Sequence, residues 1–316
     1  MDYRKEPVIK RIKAHRSSVE GVAVDSKKKV FFTCSYDHTI KMWDYEGNLL
    51  RSVEFISKKG EPEIVTAIAL DSSGEFLTAG SNTEIIVYSL PEMQPVYRKN
   101  FRNVGVETPM PAVVAEVSSI EISPDSKIII AGIDNGTIKV FKFPNLEYVN
   151  TFHQQTFGLG INLAFWNSTT FFSAAESVNK WNIHNPDSVR PDFLELPYDF
   201  KAREITIDHA KGLLYVAGSG ERNNIKAYSM DDLKLQSSIP ESQTVTALRV
   251  SPEGIGFAGT KDRDNGDSLK LWDMEAGELL NALNCPLPNL NSLEISPEEG
   301  LLISTHENGS VVLWKF

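Results

Sequence analysis

Three residue types near the start of the chain could be assembled into a catalytic relay: His15, Asp37 and a hydroxyl from Thr33 or Ser35. A carboxylate that orients an imidazole against a hydroxyl is the working core of many hydrolases. No Gly-x-Ser-x-Gly elbow accompanies these residues to present a nucleophile. The same groups supply what a buried indole N–H needs, and Trp43 stands close by in the chain. His15, Thr33, Ser35, Asp37 and Trp43 are therefore read as a structural network, and no catalytic residue is assigned.

Other chemistry-bearing patterns resolve into turns. Asp262, Asp264, Asn265 and Asp267 crowd oxygens into one loop, but Gly266 stands where an EF-hand carries an acidic ligand and no glutamate closes the loop. The histidines at 15, 38, 153, 184, 209 and 306 give no close metal-ligand pair, and Cys34 and Cys285 are too few for a zinc site. Gly158, Gly160, Gly218 and Gly220 punctuate strands with no helix after them, so they do not form a phosphate cradle. No cofactor and no metal are expected. Lys27, Lys28 and Lys29 read as a solvated hairpin tip.

Composition bounds the class. With 316 residues, a net charge of −10, 41% hydrophobic and 23% charged residues, the chain reads as a soluble globular protein. No window approaches the roughly 18 apolar residues of a membrane span, so membrane insertion is not expected. The start lacks the apolar core of a signal peptide, which places the expected location in the cytoplasm, with the nucleus left open. Net acidity argues against nucleic acid. The exception is residues 1–30, where nine Lys/Arg face four Asp/Glu.

The elements that must position these residues come from an internal repeat. One grammar recurs seven times: a turn, an apolar strand, another turn, and a strand ending on an aromatic. The aromatics are Trp43, Tyr88, Phe141, Trp181, Tyr228, Trp272 and Trp314, spaced 40 to 53 residues apart. Period-two alternation and turns built on Ser-Pro-Asp, Ser-Pro-Glu and Asn-Gly predict antiparallel strands. Segments such as 49–55 and 279–283 add a fourth strand to each copy. A single such sheet cannot bury both faces, so the copies must pack into a ring. The last copy stops at Phe316 after its third strand, while Val8 to Lys13 is a spare strand at the other end. The expected fold is all-β: one domain over residues 1–316, a seven-bladed β-propeller of four-stranded antiparallel blades, closed by strand 8–13 joining the C-terminal blade.

Ala14-His15, the run from Ser35 to Asp44 that ends Lys41-Met42-Trp43-Asp44, and Leu269-Lys270-Leu271-Trp272-Asp273 carry a resemblance to the WD-repeat family of seven-bladed propellers. The resemblance implies that His15, Thr33 or Ser35, Asp37 and Trp43 are hydrogen-bonded within blade one. It also implies a non-enzymatic scaffold or adaptor that binds other proteins as a subunit of a larger assembly. Two alternatives stand beside it: an enzyme with its site in the central channel, for which the inner strands offer no histidine cluster, and an RNA-contacting subunit using the basic N-terminal sector. In a ring of this type the loops before each inner strand share a face with those between second and third strands. Tyr36, His38, Asn82 and the apolar Val104, Val106, Met110 and Val113 of the long 102–115 loop are thus expected to bind the partner. Self-association is not expected.

Overall fold

Polar residues that cap their own turns decide where the strands stop. The Asp25 carboxylate accepts from the backbone N–H groups of Lys27 at 3.1 Å and Lys28 at 3.0 Å, closing the hairpin after the first inner strand. Asp71 takes the same place one copy later, accepting from Phe76 N at 2.7 Å, and Ser123 does so in the next, accepting from Ile128 N at 3.0 Å. Such side chains offer the backbone an alternative to the ladder, which is why they end strands. Gly74 holds φ at +69°, and a Cβ there would lie 2.2 Å from the Asp25 carboxylate, so only glycine lets these two neighbouring turns touch.

The computed structural model describes residues 8–102, 115–154, 160–185, 192–261, 268–284 and 289–316. Its strands form seven four-stranded antiparallel sheets arranged as a ring of blades. The inner strands around the central channel are, for blades one to seven, Val19–Asp25, Ala67–Leu70, Val117–Ile122, Asn162–Phe165, Lys201–Asp208, Thr244–Val250 and Leu290–Ser296. Among the described residues the helical content is one 3-10 turn, Pro297–Glu299, where a plain Ser-Pro-Glu turn was expected. Proline presets its start, and Gly300 at φ 54° ends it.

The strand Val8–Lys13 pairs antiparallel with Ser310–Lys315, placing Val8 opposite Trp314 and Lys13 opposite Ser310. It is the outer strand of blade seven, so the first residues of the ring hold the last. Lys10 also reaches blade one, where its ammonium donates to Glu46 O at 2.6 Å.

Period two gives way inside the blades. The second strands, such as Val30–Ser35 and Ile128–Ile133, are buried along almost their whole length because neighbouring blades cover both faces of each sheet. Between blades seven and one, Val19, Phe31 and Trp43 pack with Ile303, Val311 and Leu313. Each such side chain stabilises the ring by about 1.5–3 kcal/mol. Five inner strands carry a register shift at Glu20, Ser118, Arg203, Thr246 and Asn291. A bulge sends its extra residue out of the alternation, and here all five line the mouth of the channel. Three of them stitch blades together through their side chains: Ser118 Oγ accepts from Ile161 N at 2.9 Å, Thr246 Oγ1 donates to Leu290 O at 2.7 Å, and Asn291 Nδ2 donates to Ser18 Oγ at 2.9 Å. Glu20 and Arg203 are the charged pair of the set.

Candidate functional site

Blade one holds a continuous hydrogen-bond chain. The Trp43 indole N–H donates to Thr33 Oγ1 at 3.0 Å, and the Thr33 hydroxyl lies 2.8 Å from His15 Nε2. His15 Nδ1 is 3.1 Å from each carboxylate oxygen of Asp37, which also accepts from Arg16 N at 2.9 Å and from the Thr39 hydroxyl at 2.6 Å. Ser35 stands beside this chain: its Oγ accepts from Asp37 N at 3.0 Å and so fixes the turn. Burial lowers the His15 imidazole to about 4, outweighing the attraction of Asp37. Burial alone would raise Asp37, but the bonds from Thr39, Arg16 N–H and His15 hold it down to about 2. At neutral pH the ring is therefore neutral: Nδ1–H donates to Asp37, and Nε2 accepts from Thr33. Thr33 is 0% exposed and His15 3%, so no substrate can reach the hydroxyl. The triad-like trio satisfies an indole.

Two more blades reach the same end with other residues. Trp181 Nε1 donates to Ser173 Oγ at 2.7 Å, and that hydroxyl donates to the Gln154 side-chain carbonyl, while Gln154 Nε2 anchors to Ser177 O at 2.9 Å. In blade seven, Trp314 Nε1 donates to Ser304 Oγ at 2.9 Å, and His306 Nε2 lies 3.0 Å beyond. Gln154, Ser173, Ser304 and His306 are missing from the sequence reading because neither blade carries an Ala-His pair like Ala14-His15 ahead of its inner strand. A signal was present: a hydroxyl stands 8 to 10 residues before each of these tryptophans.

The central channel encloses about 1020 Å³. At its waist Arg249, on the inner strand of blade six, binds Glu294 of blade seven at 3.0 Å and Glu204 of blade five at 3.2 Å. Burial opposes the Arg249 charge, yet the flanking glutamates outweigh it and raise its pKa further. Glu121 of blade three faces the same cluster, and burial, reinforced by Glu294 and Glu204, pushes its carboxyl up to about 8. This cluster ties three neighbouring inner strands together. Among the described residues no group of three or more His, Cys, Asp or Glu is arranged to hold a metal ion.

At the wide mouth, Tyr36 is 37% exposed and lines the opening with Glu20 and Glu307. Burial, then Glu20 and Glu116, push its hydroxyl up to about 12, so it stays a neutral donor. His38 and Asn82 are on the same face but half-buried. His38 takes φ +69° in the turn that presents Tyr36, and Asn82 gives its carbonyl to the Arg102 guanidinium at 2.8 and 3.0 Å. Val104, Val106, Met110 and Val113 lie outside the described residues. Across the mouth stand Lys201, Arg203 and Lys261. On the opposite face Lys28 donates to Gly74 O at 2.5 Å and Lys29 pairs with Glu299 at 2.7 Å, so two of the three hairpin lysines serve the fold.

A family model described as WD domain, G-beta repeat, matches residues 6–44 and 113–142. These segments end on blade one's Trp43-Asp44 and blade three's Phe141-Lys142. No curated protein gives a significant match.

Proposed function

Because the chain belongs to the WD-repeat family, whose propellers are generally protein-interaction scaffolds, we propose that it is a non-enzymatic adaptor. It works in the cytoplasm as a subunit of a larger assembly and receives its partner on the face that carries the His15 and Asp37 loops. The observation that carries this reading is how blade one uses its most reactive-looking residues. His15, Thr33 and Asp37 are consumed in holding Trp43, leaving the ring as a stiff frame, while the loops of that face converge on a wide polar mouth rimmed by Tyr36, Glu20 and Arg203. A rigid body with an aromatic and charged groups around one opening suits recognition, in which a few desolvated anchors carry most of the energy.

The test compares partner recovery. Tagged wild-type protein and Tyr36→Ala, matched for melting temperature, are purified from cells and their co-purifying proteins quantified by mass spectrometry. Defined partners are expected with the wild type and at least about tenfold less with the variant, since an anchor contributes roughly 2 kcal/mol. Equal recovery by both proteins removes Tyr36 from the interface, and absence of any stoichiometric partner defeats the adaptor reading.

A further inference from the structure

The mouth of the channel is electrically two-sided. Glu20 and Glu307 line it on blades one and seven, and Glu116 lies close enough to Glu20 to act on its carboxyl. Further round the ring, on blades five and six, are Lys201, Arg203 and Lys261, all exposed, and none of the three has a carboxylate within ion-pairing distance among the described residues. On a protein of net charge −10 this basic side is a local feature and not the background.

Close by in the chain stands Tyr198, the most exposed large hydrophobic side chain among the described residues, at 106%. It sits at the corner of a turn closed by Phe200 N donating to Pro197 O at 2.8 Å. Phe200 is buried under the Lys226 ammonium, which lies 4.5 Å from the ring centroid, so the turn is nailed to the blade. Ala202 is buried in the core beside Phe200, while Lys201 and the bulge residue Arg203 are left exposed at the channel mouth. Ring, ammonium and guanidinium thus project from one rigid stretch. Tyrosine and arginine are among the residues most enriched in binding anchors, and holding them still removes much of the entropy cost of using them.

We infer that Tyr198, Lys201, Arg203 and Lys261 form a docking surface for an acidic segment of a partner protein, with carboxylates over blades five and six and the segment's apolar or aromatic side chain against Tyr198. The inference rests on the adaptor reading and gives the partner its chemistry. Charge complementarity selects the occupant. A nucleic acid would carry unbroken negative charge across the mouth into Glu20 and Glu307, whereas a peptide can end its acidic run before reaching them.

The probe is a fluorescein-labelled twelve-residue peptide of alternating Glu and Gly with one central Phe, titrated with full-length protein and followed by anisotropy. A Lys-for-Glu version of the peptide and a single-stranded RNA of equal length serve as comparators. Saturable binding of the acidic peptide is expected, weakened at least tenfold by Lys201→Glu/Arg203→Glu and about tenfold by Tyr198→Ala. Arg11→Glu/Lys27→Glu, which removes positive charge elsewhere, should leave it unchanged. The inference fails if the acidic peptide does not bind, if the Arg11/Lys27 variant loses as much as the Lys201/Arg203 variant, or if the RNA binds more tightly than the peptide. The cellular co-purification separates the two readings: partners retained by Lys201→Glu/Arg203→Glu leave the adaptor standing and remove this surface from it.

Discussion

Ala258→Ser should stabilise the protein by completing a hydrogen bond that blade six lacks. The seven blades act as an internal alignment. The residue two places beyond the one facing the third-strand aromatic is Thr33 for Trp43, Ser173 for Trp181 and Ser304 for Trp314, and each hydroxyl accepts the indole N–H at 2.7 to 3.0 Å. Where the aromatic has no indole, at Tyr88, Phe141 and Tyr228, the position holds Ala79, Ala131 and Val216. Trp272 breaks the rule: it faces Gly256, the position is Ala258, and its Nε1 is buried with no partner. A serine hydroxyl there is placed as Ser173 and Ser304 place theirs, and a net gain of about 1 kcal/mol follows for one neutral hydrogen bond. With an unfolding entropy of roughly 0.7 kcal/mol per kelvin for a chain of this length, the melting temperature should rise by about 1.5 °C. Urea denaturation of wild type, Ala258→Ser, Trp272→Phe and the double variant forms a cycle that isolates the new bond. A coupling energy near 1 kcal/mol is expected. A coupling of zero, or a loss of more than about 1 kcal/mol in Ala258→Ser alone, would refute the argument from blade equivalence.

Two further outcomes follow from the network and the ring closure. His15 has its pKa lowered from 6.5 to about 4 in the fold, so its contribution is complete above pH 6.5 and is lost as pH falls toward 4. On the order of 3 kcal/mol should disappear across that window. His15→Gln, which copies the part Gln154 plays in blade four, should flatten this part of the pH–stability curve measured by denaturant titration, and an unchanged slope would count against the assignment. Deleting residues 1–13 removes the outer strand of blade seven with the half-buried Val8 and Ile12, costing at least about 3 kcal/mol and exposing a strand edge that promotes aggregation. A truncated protein that melts and stays monomeric like the intact chain would show that the closure carries no stability.

Local chemistry alone was enough to read the strands, the seven-fold repeat and the closing role of Val8–Lys13. Turn-capping residues such as Asp25 and Ser123 act within a few residues of themselves, and Val8–Lys13 is a strand ahead of the first repeat that the seventh sheet takes up. The relay of blade one was legible too, because its residues are close in sequence and Trp43 needs a partner. Gln154 and His306 were not, since any acceptor of suitable reach can receive the hydroxyl proton and only packing decides which one arrives. The channel was the least legible part. A bulge adds one residue and reverses the side-chain alternation, so the placement of Glu20 and Arg203 at the mouth depends on inter-strand register and not on pattern. Residues far apart in the chain, Glu204, Arg249 and Glu294, meet because ring closure sets consecutive inner strands side by side. The same ring sets the basic residues of blades five and six on one mouth with Glu20: each residue type is in the sequence, but the field they make together exists only once the seven blades share an axis.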